Sequence, residues 1–276
     1  MDETKVTTIL PDQSVLDNFL NLIEYKAASS REELEGAYSL VYREYLRRGY
    51  VKESGTGLKF SIYNALPDTT TFVAVVDNKV ISTATLIPDS PLGLPMDEIY
   101  HRELESFRRN KKKLCEISML ASDTELFVNG ISLMLNSKKM FLIFYLFKTV
   151  FDYAIRVLKL DYICITINPK HALTYDFLLF KDLGGLKRYN NANGAPAIGK
   201  YLDLNSVENE CREKKKEGLY RMFFLKKIPP EKYNCKIKLS EEDLRYFFIE
   251  KSDIFKNASP AQMEYIKSCY PSYNLI

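Results

Sequence analysis

The chain has no tryptophan, only two histidines and only 11 glycines in 276 residues, and neither sign of charge is in surplus. Its 39 basic and 36 acidic side chains leave a formal charge of +3. A dedicated duplex-DNA binder gains affinity mainly by neutralising phosphates, so this balance excludes one and no nucleic-acid partner is expected. Any electropositive site has to be local. Cysteine is also sparse: Cys115, Cys164, Cys211, Cys235 and Cys269 are odd in number and widely separated, with no CxxC pair. With no histidine cluster at zinc spacing either, a disulfide scaffold and a metal centre are not expected, and the cytoplasm is the expected compartment.

Repeats, low-complexity tracts and an uninterrupted apolar span are missing too. The most apolar stretch, Met140 to Leu160, is broken every four residues by Lys148, Asp152 and Arg156, which excludes a simple transmembrane segment. That spacing places the three charges on one helical face, where they can pair, so the stretch reads as a mostly buried core helix. The N-terminus, MDETKVTTIL, lacks the cationic-then-apolar order of a secretory signal, and export is not expected.

What the chain does have is 46% hydrophobic residues, enough for a substantial core in one large domain or one domain with an appendage. Residues 24–29 read as a short strand, and Ser30 with Glu33 as a capping box opening a helix that Gly49 stops. Thr70–Val76 and Lys79–Ile87 are rich in β-formers around Asp77-Asn78, a hairpin pattern. Asp97–Asn110 reads as an amphipathic helix, Lys113–Ala121 as an apolar strand with one carboxylate, and Ser137–Leu158 as the long helix. Tyr162–Ile167 reads as a strand ended by Asn168-Pro169, and Ala172–Leu183 as a helix closed by Gly184-Gly185. Two strands near Leu186–Tyr189 and Ala197–Leu204 follow. Beyond Asn205, a Glu/Lys-rich segment and the Pro229-Pro230 break precede two short helices opening at Ser240 and Ser259.

This order resembles the GNAT acyltransferase superfamily: an α/β fold with a central mixed sheet flanked by helices, here with a helical C-terminal extension. The segment NPKHALTY strengthens the likeness, because Asn168 at a strand end and Tyr175 seven residues later match a GNAT pattern. Within that group the chain is most similar to the long-chain N-acyl amino acid synthases, relatives of the acyl-homoserine lactone synthases. The residues that carry this are LVYREYLRRGYV (Leu40 to Val51), CEISMLAS (Cys115 to Ser122) with its Glu-x-Ser, His171 before Tyr175, and Pro196-Ala197. The resemblance implies an N-terminal arm over 1–21, an acyltransferase domain over 22–204 and an extension over 205–276.

The implied reaction moves a fatty acyl group from a thioester to the α-amino group of an amino acid. No cofactor is expected to stay bound; an acyl-phosphopantetheine thioester, on acyl carrier protein or CoA, is the co-substrate. The Q/RxxGxG/A loop that holds the CoA pyrophosphate in GNAT enzymes is absent from Asp123–Lys139, where Gly130 is the only glycine. That favours acyl carrier protein as partner over CoA-dependent N-acetylation; the other alternative is a non-catalytic carrier- or lipid-binding module, favoured if Glu116 and Tyr175 lie remote from any pocket. Met119 follows Glu-x-Ser where the lactone synthases have Arg, which argues against their methionine-derived acceptor. Peripheral membrane contact through a lipid product is the only membrane association expected.

Glu116, the one carboxylate in its strand, is the expected general base if buried; at an exposed strand end it would pair with Lys112 or Lys113 instead. Tyr175 is the expected proton donor to the leaving thiolate, or else a core tyrosine. His171 is either a proton relay or a helix-start residue bound to a carbonyl. The resemblance places the acyl carbonyl near Ser118, Met119 and Leu120, with Asn168 beside it and an oxyanion donor at Met119 or Leu120. Tyr50, with Tyr42 and Tyr45, is a candidate lid, and Arg43 either clamps an acceptor carboxylate or lies in solvent. Arg108, Arg109, Lys111, Lys112 and Lys113 either dock an acidic carrier or complement a helix end ahead of an apolar strand.

Overall fold

The two residues at the hairpin tip set the first half of the sheet. Asp77 and Asn78 take φ of 48° and 62°, the left-handed pair that a two-residue hairpin requires and that Asp and Asn tolerate. The strands they join, β2 (Thr70–Val76) and β3 (Lys79–Pro88), are where the β-formers placed them. The computed structural model describes residues 22–123, 132–225 and 227–275, with side chains of the helix opening at Ser132 described from Leu142 onward. The arm over 1–21 lies outside the described residues.

Seven strands form one mixed sheet: β1 (Glu24–Ala27), β2, β3, β4 (Leu114–Ser122), β5 (Tyr162–Ile167), β7 (Ala195–Asp203) and β6 (Lys181–Tyr189), in that spatial order. Every neighbouring pair is antiparallel except β4 and β5. Helices α1 (Arg31–Arg47), α2 (Asp97–Arg109) and α3 (Ser132–Arg156) cover the sheet, and the short α4 (Ala172–Phe177) joins β5 to β6. Helix α1 starts at Ser30, whose hydroxyl accepts from the Glu33 N–H. The Glu33 carboxylate reaches one residue further back than expected, accepting from the Ser29 N–H at 2.7 Å.

Helix α3 is mostly buried, as its pattern predicts: Leu146, Phe147, Val150 and Ala154 are in the core with Phe72, Leu86, Ile163 and Ile165. Arg156 pairs with Asp152 one turn away, and the Tyr233 hydroxyl donates to the same carboxylate. The expected helix over Ala172–Leu183 is half that length. Leu179, at φ 70°, ends it, and Lys181 already opens β6, paired with Tyr201 of β7. Gly184 is therefore not a helix stop. A Cβ there would lie 2.6 Å from ring carbons of fully buried Tyr100, so glycine is the residue that lets the ring reach the sheet.

The segment beyond Asn205 is helical, with capping boxes at Ser240–Asp243 and Ser259–Gln262, but it is not an appendage. Phe247 and Phe248 are each 1% exposed and pack on Phe60 and Tyr38 in the core beneath α1. Phe223 and Tyr233 belong to the core beneath α3. Truncation after the seventh strand would thus open both sides of the sheet.

Candidate active site

The site is made by a disagreement between two strands. The parallel β4–β5 ladder has only four pairs, Leu114 with Tyr162 through Ile117 with Ile165. Beyond it β4 stays with β3, and β5 stays with β7. The cause in β4 is a bulge: Ser118 faces Thr85 and Ala121 faces Thr83, so Met119 and Leu120 together oppose Ala84, and Met119 takes φ 54°. An extra residue reverses the in-and-out alternation. Met119 and Ala121 thereby join the core beneath α1, while Cys115 and Ile117 stay in the core beneath α3.

Two cavities meet at this split. One, of about 490 Å³, is lined by Tyr45, Tyr50, Lys59, Glu116, Ser118, Met119 and Tyr189, with Gln262 from the C-terminal helix Pro260–Cys269. The other, of about 380 Å³, has apolar walls from Ile143, Phe144 and Phe147 of α3, with Arg48 and His171 on its lining. Both share Tyr45, Tyr50, Leu120, Thr166, Ile167, Asn168 and Tyr175. The Thr166 hydroxyl is buried at that shared wall with no hydrogen-bond partner among the described residues.

Glu116 is 1% exposed and accepts from the Met96 N–H at 2.7 Å. The exposed strand-end alternative is thus ruled out. Burial pushes its carboxyl from the ordinary 4.5 to about 8, against the opposing Met96 hydrogen bond. Such a group is mostly protonated at neutral pH and becomes an available base just above it. Tyr175 is buried, with its ring edge-on to Phe147 and Phe180. Burial pushes its phenol above the usual tyrosine range, so it remains a hydrogen-bond donor through neutral pH. Tyr45 is raised to about 12 by the same cause.

Asn168 caps the turn at the end of β5: its side chain accepts from the Lys170 N–H, and Pro169 opens the turn. This fixes the chain direction from β5 into α4 and so the position of Tyr175. His171 follows on the rim of the apolar cavity, exposed to solvent. Ser118, Met119, Leu120 and Tyr50 line the larger cavity.

Two expectations change. Arg43 lines neither cavity; it reaches back to Asp123, which is 1% exposed and also bound by Lys79. The buried Asp123 carboxylate holds Arg43 there, away from the cavities. Arg108 is likewise withdrawn from the basic run. Its guanidinium binds Asp89 in a fork at 2.8 Å and also Asp97, clamping the segment whose Met96 N–H holds Glu116. Arg109, Lys111, Lys112 and Lys113 remain exposed or nearly so, with Arg109 near Glu105 at 3.4 Å. Within Asp123–Lys139, the region of the missing pyrophosphate loop, residues 124–131 lie outside the described residues.

Among the lining residues with no role assigned from sequence are Lys59, Thr166, Tyr189 and Gln262. Lys59 alone left a trace, as the single charge in the run Gly57 to Leu66. The others come together only through the fold.

A model of the N-acyl amino acid synthase FeeM family matches residues 36–203, more than half of the chain. The chain belongs to the FeeM family. The structure of FeeM, an N-acyl amino acid synthase from uncultured soil microbes, is 28% identical, with a TM-score of 0.58 over 70% of this chain and 96% of that one. The AHL synthase LasI is 11% identical, with a TM-score of 0.45 over 75% of this chain and 96% of that one. The CoA-dependent acyl-homoserine lactone synthase BjaI, solved with SAM and isopentyl-CoA, is 14% identical, with a TM-score of 0.48 over 68% and 88%. No curated protein sequence matches the chain. This FeeM-family protein is therefore an acyltransferase, built on a mixed seven-stranded sheet flanked by helices. Among its described residues no helix is long and apolar enough to cross a membrane.

Proposed function

We propose that this FeeM-family enzyme moves a fatty acyl group from an acyl carrier protein thioester to the α-amino group of an amino acid. The observation that carries the reading is the pair of cavities meeting at the β4–β5 split, one apolar and one holding a buried carboxylate. The apolar cavity suits the acyl-pantetheine arm, and the larger one suits the amine. In this reading Glu116 takes a proton from the acceptor ammonium, and the free amine attacks the thioester carbon. The C–N bond forms and the C–S bond breaks. Tyr175 gives its phenolic proton to the departing sulfur, which leaves as a thiol, and the second proton shed by the new amide nitrogen returns to the Tyr175 oxygen. Backbone N–H groups at the Met119–Leu120 bulge are the proposed donors to the carbonyl oxygen, a contact of the kind that strengthens as charge develops.

Arg109, Lys111, Lys112 and Lys113 are the proposed docking face for an acidic carrier, since charge complementarity steers encounter. The test of the reading is mass spectrometry of lipids from a heterologous host expressing the chain. N-acyl amino acids absent from the vector control are the expected result. Soluble protein with no such lipid would overturn it.

A further inference from the structure

The acceptor cavity has one cation. Lys59 is the only lysine or arginine among its described lining residues, and every carboxylate on the same wall is already engaged. Asp97 is bound by Arg108, Glu98 accepts from the Asn190 N–H at 3.0 Å, and Glu116 accepts from the Met96 N–H. Lys59 has neither a salt bridge nor a side-chain hydrogen bond among the described residues. Lys59 is half-buried at that wall; the partial desolvation lowers its pKa, and no acidic neighbour offsets the effect.

The backbone holds it firmly in that position. The Lys59 N–H donates to the Tyr38 carbonyl of α1 at 3.1 Å. Its neighbour Phe60 is buried, stacked on Tyr38 at 5.0 Å and edge-on to Phe247 and Phe248 of the C-terminal segment. A long, uncompensated cation fixed at the wall of a cavity is the arrangement expected where a ligand brings the missing negative charge.

We propose that Lys59 receives the α-carboxylate of the acceptor and so selects amino acids over simple amines. The inference rests on the acyl-transfer reading above and extends it to acceptor choice. An amino acid presents its carboxylate two bonds from its amine, so binding one to Lys59 orients the other for attack. Removing the cation should therefore act on acceptor binding and leave the acyl donor alone.

The test compares wild type, Lys59→Met and Lys59→Arg with one acyl-carrier-protein donor, the best of the twenty standard amino acids, and that amino acid's α-carboxamide. Wild type should favour the amino acid over the carboxamide. Lys59→Met should raise KM for the amino acid roughly ten- to hundredfold, the range of a charge-assisted contact, with KM for the carboxamide and for the donor within about twofold of wild type. Lys59→Arg should restore most of the preference. Equal losses for amino acid and carboxamide would overturn the proposal, as would a rise confined to the donor, which would place Lys59 on the carrier's phosphate instead. Failure of wild type to acylate any amino acid would remove the acyl-transfer reading and this inference with it. Thermal melts of both variants separate loss of fold from loss of contact, and a Lys59→Met protein that melts with wild type yet keeps its preference also refutes it.

Discussion

Replacing Glu116 with Gln removes the one titrating group whose burial defines the larger cavity. In the folded protein this carboxyl is pushed to about 8, against an ordinary value of 4.5. The folded state therefore holds a proton that the unfolded chain gives up between those two values, and stability should fall as pH rises through that window. Below 4.5 both states are protonated and the group is neutral in its effect; above about 8 both are ionised and the penalty is complete. At about 1.36 kcal/mol per pH unit, the gap from 4.5 to about 8 sets a ceiling of about 5 kcal/mol. Most of that, about 4 kcal/mol at the limit, is expressed between pH 5 and pH 9. Glutamine keeps a carbonyl for the Met96 N–H and does not titrate. Urea unfolding of both proteins across pH 5 to 9 should show the variant gaining on wild type by a few kcal/mol as pH rises. A difference that stays flat within about 1 kcal/mol would mean that Glu116 ionises normally and would undo the general-base argument. Turnover should move the other way, with the variant losing roughly 10²- to 10⁴-fold, the range of a missing general base.

Tyr175→Phe keeps the ring contacts with Phe147 and Phe180 and should lower kcat roughly ten- to hundredfold in thiol-release assays, with little change in melting temperature. Arg108→Gln should act on stability rather than on carrier binding: it strands Asp89 and Asp97, and calorimetry should show a loss of about 2–4 kcal/mol, within the range for breaking a partly buried pair. Reversing Arg109, Lys111 and Lys112 to Glu should instead raise KM for the carrier-borne donor at least severalfold, with KM for the amino acid unchanged. Gly184→Ala drives a methyl to within 2.6 Å of the Tyr100 ring, and chemical denaturation should show a cost of about 1–3 kcal/mol from overpacking.

Local patterns carried most of the fold. The hairpin at Asp77-Asn78, the Ser30, Ser240 and Ser259 caps and the charged stripe on α3 are short-range features, and each is read within a few residues. Tertiary contact decided the rest. Gly184 looks like a helix stop, yet it is selected by a tyrosine more than eighty positions away. The C-terminal helices look like an addition, yet Phe247 and Phe248 complete a core that α1 cannot close alone. The site divides in the same way. Glu116 stands out as a lone carboxylate in an apolar strand, and Asn168 and Tyr175 stand out through their spacing. Arg108 and Arg43 stand out equally as cations, but their partners, Asp89, Asp97 and Asp123, are distant or unpatterned in sequence. Thr166 and Gln262 carry no local signal, since the β4–β5 split and the C-terminal fold alone bring them to the cavities.

Carrier-dependent amide formation is measured most directly with purified protein, one fatty acyl chain on acyl carrier protein or on CoA, acetyl-CoA in parallel, and the twenty standard amino acids. Free thiol and N-acyl amino acid are quantified together. Equimolar thiol and amide, with kcat/KM for the carrier-borne donor at least tenfold above that for either CoA thioester, is the predicted result. Thiol release without amide, or acetyl-CoA serving as well as the fatty acyl carrier, would contradict it.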